Sequence, residues 1–248
     1  MNEEDDCPAE ILRMSMKDGS AIAFSGGLDS SFLAFVARNA GIYLKGYVVG
    51  LDGSHDILWA QHAARLIDLE LETIIVGQDE ILDAFYRVAE LIGTENPVTV
   101  SFEMPLYFVG VASEENVIIT GQGADELFGG YKRYENMDPE TLEFSMEHDL
   151  DNLLEKGLPR EKNMMASLGK ELITPYLEGE FLKRVLIHTP MERKGSGRKS
   201  MLRNMAIHCG LPGELAMKGK KAAQYGSGIM KVLKKNREKL IKMENKGF

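Results

Sequence analysis

Ala21-Ile22-Ala23-Phe24-Ser25-Gly26-Gly27-Leu28-Asp29-Ser30 is the stretch on which the fold turns. Four apolar residues run straight into a serine and two glycines, the pattern of a buried strand closed by a tight turn. Residues 30–38 then set Phe32, Leu33, Phe35 and Val36 at the spacing of a helix's packed face. The same order returns further along. Residues 43–49 read as a second strand, and Ser54 stands as N-cap to a helix over 55–67. Residues 71–76 read as a third strand, 79–92 and 104–112 as helices, and 117–120 as a fourth, short strand. Strands alternating with helices imply βαβ units, hence an α/β fold with a doubly wound, mostly parallel sheet covered on both faces. Beyond Tyr134 the strand signals stop. Residues 138–156, 161–169, 181–187, 199–209 and 228–243 read as helices parted by Gly and Pro. The expected organisation is an N-terminal segment 1–18, a core 19–135, and a helical C-terminal part of the same domain, 136–248.

Composition narrows the function. The chain has 248 residues, 44% apolar and 27% charged, enough for one large domain with a full core. A net charge of −9 and a pI near 5.2 speak against a nucleic-acid-binding face, although a phosphate pocket needs only a few local cations. Cys7 and Cys209 are far apart and neither lies in a CxxC or beside paired histidines, so neither a disulfide framework nor a zinc site is expected. The start, MNEEDDCPAE, lacks the basic and apolar regions of a signal peptide. No apolar run approaches the roughly 20 residues that cross a bilayer. A cytoplasmic protein with no nucleic-acid or membrane partner is the expectation. The lysine-rich stretch 231–246 reads as a solvated helix end, or else as a cationic rim for an acidic partner.

In parallel sheets ligands bind at the carboxyl ends of the strands, and two glycine-rich segments fall there. In Ser25-Gly26-Gly27-Leu28-Asp29-Ser30 the glycines let backbone approach a ligand, and the helix that follows offers unpaired N–H groups and the positive end of its dipole. This is a phosphate cradle, but neither a Walker A loop nor a GxGxxG fingerprint. A carboxylate in such a cradle repels phosphate unless a divalent cation lies between them, so Asp29 points to Mg²⁺; as a bland alternative it caps the helix. Thr120-Gly121-Gln122-Gly123-Ala124-Asp125-Glu126 repeats this grammar after the fourth strand, with Asp125 as a second carboxylate or a second cap.

These segments resemble a known family. SGGLDSS is similar to the pyrophosphatase loop of the N-type ATP pyrophosphatases (the PP-loop superfamily), and GQGADELFGGY resembles the second motif of the asparagine synthetase family, usually GEGSDE(L/V)FGGY. Val49-Gly50-Leu51-Asp52-Gly53-Ser54-His55-Asp56 looks like its VGLPGSPD, Met104-Pro105-Leu106-Tyr107 like its PMYL, and Leu211-Pro212 opens a stretch like its LP…K…G. The resemblance runs from about residue 19 to 228 and covers the synthetase domain only. It implies an adenine nucleotide alpha hydrolase-like fold, with 19–135 as the ATP pyrophosphatase core, and ATP and Mg²⁺ as cofactors. Ala23, Val49, Thr120 and Gly121 would line the adenine site, Ser25, Gly26, Gly27 and Ser30 would hold pyrophosphate, and Asp29 and Asp125 would bind the metal. Lys220 falls where the family places a lysine that stabilises charge at the α-phosphate; read alone, Lys218, Lys220 and Lys221 are a surface charge cluster. Lys199 and Arg203 match the family's K…LR helix. The activity implied is an AMP-forming carbon–nitrogen ligase of asparagine biosynthesis, acting on aspartate.

Two departures qualify this. Glutamine-hydrolysing members begin with a catalytic cysteine and an N-terminal glutaminase domain, whereas Asn2 follows Met1 here. The expected partners are therefore a small-molecule carboxylate and ammonia or another amine donor, with a separate glutaminase subunit as one source; a homodimer stays open. The family's first glutamate in GEGSDE is Gln122, and a neutral amide hydrogen-bonds but does not act as a base. Gln122 thus marks a catalytic position whose substrate the resemblance does not fix. Rival readings are an amide ligase for another acid, a tRNA-modifying enzyme, and a non-catalytic ATP-binding subunit.

Overall fold

A computed structural model of the chain describes residues 8–219 and 226–236. Its centre is a five-stranded, all-parallel sheet: β1 Ser20–Ala23, β2 Leu44–Gly50, β3 Glu70–Ile75, β4 Val117–Ile119 and β5 Glu171–Ile173, in the order β3-β2-β1-β4-β5. Consecutive residues of β2 are buried almost throughout, so both faces of the sheet are covered, as a parallel sheet requires. β3, at one edge, keeps Glu70, Glu72 and Ile75 exposed.

The helices follow from the same patterning. A short α1, Pro8–Met14, precedes β1, and α2, Leu28–Asn39, buries Phe32 and Leu33 completely, each removing apolar surface worth about 1.5–3 kcal/mol. α3 (His55–Leu66) returns the chain to β3, and α4 (Gln78–Ile92) follows that strand. α5, Pro97–Ala112, starts seven residues before the expected position. Asn96 caps it by accepting from the N–H groups of Val98 and Thr99 at 3.0 and 3.3 Å, and Pro97 opens it at a position that needs no N–H. Pro105 lies inside this helix, past the expected start at residue 104.

After β4 come a one-turn α6, Ala124–Phe128, then α7, Pro139–Asn152, a π-helical turn over Leu153–Gly157, and α8, Leu158–Ser167. Helix runs through where a break was expected, because Pro159 sits in the first turn of α8. α9 (Gly179–Leu186), α10 (Pro190–Lys194), α11 (Ser200–His208), α12 (Gly213–Ala216) and α13 (Ile229–Lys235) complete the described chain. The expected end of the strands at Tyr134 is corrected by β5. Its three residues, flanked by Gly169 and Pro175, are too short to show alternation, yet they extend the sheet beside β4. The remainder of the helix expected over 228–243 lies outside the described residues. No described helix is long and apolar enough to cross a membrane.

Candidate active site

The strand order reverses between β1 and β4, and the loops leaving their carboxyl ends open a crevice at that switch point. A cleft of about 820 Å³ lies there. On the β1 side, Phe24 continues the ladder by donating to Tyr47 O at 2.8 Å, and Trp59 Nε1 donates to Gly26 O at 2.7 Å, which pins the turn. The N-cap of α2 is Gly27, with no side-chain cap bond, and the Ser25 and Ser30 hydroxyls converge to 3.4 Å. An uncapped helix start beside two hydroxyls is anion-binding chemistry.

On the β4 side, Thr120 N–H donates to Ile173 O at 3.1 Å, so β5 props the loop that follows. A Cβ added at Gly121 would lie 2.9 Å from Asp29 Cβ, so a side chain there would drive the two loops apart. Asp29, in the first turn of α2, and Asp125, in that of α6, point to a shared spot. Lys199 Nζ lies 2.7 and 2.8 Å from the two Asp29 carboxylate oxygens and 2.7 Å from Asp125 Oδ1. Carboxylates that one ammonium can reach together present hard oxygens to a single cation, which fits Mg²⁺ completed by phosphate oxygens. Among the described residues no group of three or more His, Cys, Asp or Glu could hold a metal, so the fit depends on those added oxygens. Tyr176, fully buried, donates its hydroxyl to Asp29 O at 2.9 Å; burial, then the charge of Asp29, push that phenol well above its usual range.

The opposite wall is acidic. Gln122 Nε2 donates to Glu161 Oε1 at 2.7 Å, and Arg160 donates twice to Glu103 Oε1, at 3.0 and 2.7 Å. Glu103 and Glu161 are 3% and 6% exposed, and both line the cleft with Arg160 as the partner of one. Burial pushes the Glu161 carboxyl well above its ordinary value, and the Glu103 charge adds to the shift. Glu103 is raised as well, burial outweighing its arginine. Tyr131 donates to Glu126, and burial, followed by that charge, raises its phenol. At the rim, Lys218 Nζ stands 3.3 Å over the Trp59 ring.

Of the residues singled out in the sequence, Ala23, Ser25, Gly27, Asp29 and Ser30 line this cleft. Val49, on β2, also lines it, with Thr120, Gly121 and Gln122 from the loop after β4 and Asp125 from α6. Gly26 lies behind it, its carbonyl held by Trp59. Lys220 and Lys221 lie outside the described residues, as does Cys7. Glu103, Arg160 and Glu161 were missed. Glu103 carried one signal: it stands three residues after Val100 and four before Tyr107, a carboxylate at core-face spacing on α5.

A doubly wound parallel α/β domain with a two-aspartate cleft at its switch point is the class that fold and site define. The chain matches the family model described as Asparagine synthase over residues 12–145, more than half its length, and it belongs to that family. Among curated relatives, a putative glutamine-hydrolysing asparagine synthetase of Methanocaldococcus jannaschii is 30% identical, over 91% of this chain and 49% of the relative. Asparagine synthetase B of Escherichia coli is 27% identical, over 84% of this chain and 41% of the relative. The mouse asparagine synthetase is 29% identical over 84% and 39%. The chain thus spans about half the length of these relatives, or less. An NMN synthetase from Francisella tularensis superposes with a TM-score of 0.38 at 15% identity, over 79% of this chain and 97% of that one.

Proposed function

We propose that this chain is an ATP-dependent, amide-forming ligase that adenylates a carboxylate, aspartate first, and transfers the acyl group to ammonia. The observation that carries the reading is the convergence of Asp29 and Asp125 on one cation position beside the Ser25–Ser30 turn. A carboxylate oxygen attacks the α-phosphorus of ATP, the bond to the bridging oxygen breaks, and pyrophosphate leaves. The amine nitrogen then attacks the acyl carbon, AMP departs, and the nitrogen gives up a proton. Ser25, Gly27 and Ser30 hold the pyrophosphate through hydroxyls and the start of α2, and Ala23, Val49, Thr120 and Gly121 bound the adenine. Asp29 and Asp125 would hold Mg²⁺, which would offset charge on the phosphates. Lys220 is assigned to the α-phosphate, where charge develops in the transition state. Gln122, bonded to Glu161, faces the acyl end. Ammonia comes from solution or from a separate glutaminase subunit, and the setting is the cytoplasm.

A second reading keeps the chemistry and changes the acid. Glu103 and Glu161 both line the cleft, and Arg160 is bonded to Glu103 alone, a setting that penalises an additional free carboxylate on the substrate. Incubation of heavy-oxygen-labelled aspartate with Mg·ATP and ammonium tests the mechanism. Transfer of one labelled oxygen to AMP is expected; unlabelled AMP, or ADP as the nucleotide product, would overturn it. Label transfer from a different acid alone would select the second reading.

A further inference from the structure

Lys199 joins the two aspartates in a way that bears on how a metal enters. Its ammonium contacts three carboxylate oxygens within 2.8 Å, and its side chain is 5% exposed. It occupies the meeting point of the donors a divalent ion needs. The backbone is shaped to deliver it. Lys199 has φ +58°, a left-handed conformation uncommon for a long side chain, held where its N–H donates to Phe128 O at 3.0 Å. Gly130 supplies the passage: a Cβ there would come within 2.2 Å of Lys199 Cε and 1.9 Å of Asp125 Oδ1. The second glycine of Phe128-Gly129-Gly130-Tyr131 is thus explained by the lysine that slides past it. Arg203, one turn along α11, donates to Arg198 O at 3.0 Å and to the carbonyls of Ala216 and Lys218, so the Lys199 turn is tied to the segment that leads towards Lys220.

We propose that Lys199 is a built-in counter-cation that competes with the divalent ion for Asp29 and Asp125, so that the metal enters as a metal–nucleotide complex and not alone. The inference rests on the reading of Asp29 and Asp125 as the metal-binding pair. Asp29, buried, and Asp125, partly buried, need neutralising charge, and Lys199 supplies part of it. A bare divalent ion must expel the ammonium to bind; one carried by ATP brings phosphate oxygens that accept the displaced charge.

The probe is Mn²⁺ without nucleotide, followed by the paramagnetic resonance of the free ion, on the whole chain and on Lys199→Met. Removing a unit charge some 3 Å from a doubly charged ion, even at the dielectric of water, is worth about a hundredfold change, so Mn²⁺ alone should bind up to about a hundredfold more tightly to the variant. Affinity for Mn·ATP should change less, narrowing the gap between the two. Lys199→Asn, a residue at ease in the left-handed region, is the second variant should methionine disturb folding, with circular dichroism in chelator as the check. Unchanged or weaker Mn²⁺ binding by the folded variants would overturn the proposal, since a merely structural lysine gives that result. Asp29→Asn separates the two readings. If it keeps wild-type affinity for Mn·ATP, the metal assignment falls and this inference with it; if it loses Mn·ATP while Lys199→Met leaves free Mn²⁺ binding unmoved, the inference alone falls.

Discussion

Glutamate at position 122 restores the residue that the motif GEGSDE usually carries, and it does so in a pocket built around an amide. Gln122 Nε2 donates to Glu161 Oε1 at 2.7 Å, against a carboxylate that burial already pushes well above its ordinary value. In Gln122→Glu two carboxylates would face each other at that separation. Two full charges there repel by roughly 6 kcal/mol at an effective dielectric of 20, so the pair retains a proton instead. The sign follows from proton counting. Between the ordinary carboxylate range and the raised value of the pair, the folded variant binds more protons than the unfolded chain, so its stability falls as pH rises. Near pH 5 the shared proton substitutes for the lost amide bond, and the variant should melt close to wild type. Near pH 8.5 it loses a charge-assisted bond worth about 1.5–3 kcal/mol, and Tm should drop by roughly 4–10 °C for a chain of this size. Thermal melts at the two pH values measure this directly. A Tm difference that does not grow with pH would refute the pairing of Gln122 with Glu161, and with it the account of the acidic wall.

The other expectations concern the same cleft. Asp29→Asn and Asp125→Asn should each cut pyrophosphate release by about 10²-fold or more while circular dichroism stays unchanged; wild-type turnover in both would remove the metal assignment. Arg160→Met strips Glu103 of its partner beside Glu161 and should cost about 3 kcal/mol in a denaturant titration at neutral pH, with part recovered on acidification as the carboxyls take up protons; a loss independent of pH would contradict the buried-pair reading. Glu161→Gln removes a carboxyl whose raised value makes folding less favourable as pH climbs through it. Its Tm should therefore vary less with pH than wild type and lie above it on the alkaline side; a Tm below wild type there would show that the Glu161 charge stabilises the fold.

The parallel sheet was legible because β1 and β2 are buried on both faces and read as short apolar runs between glycines. β5 was not, since Glu171-Leu172-Ile173 offers neither length nor alternation and is a strand only because β4 needs a neighbour. The two loops were legible from their glycines, whose spacing reflects close backbone approach. The site's other half lay in charged residues of α5 and α8. Arg160 and Glu161 stand next to each other in sequence like any exposed helical pair, and only the packing of α8 in the fold reveals that Glu161 is buried. Lys199 was visible as part of a motif, but its reach to both aspartates depends on a left-handed turn and on the absence of a side chain at Gly130, neither of which sequence spacing encodes.

Pyrophosphate release from Mg·ATP, scanned over a panel of carboxylic acids with and without ammonium, tests the central claim most directly. The account predicts release that depends on an added carboxylate, with aspartate tried first, and an amide product that forms only when ammonium is present. A chain that binds Mg·ATP yet releases no pyrophosphate with any acid, with or without ammonium, would contradict it and leave a nucleotide-binding role in its place.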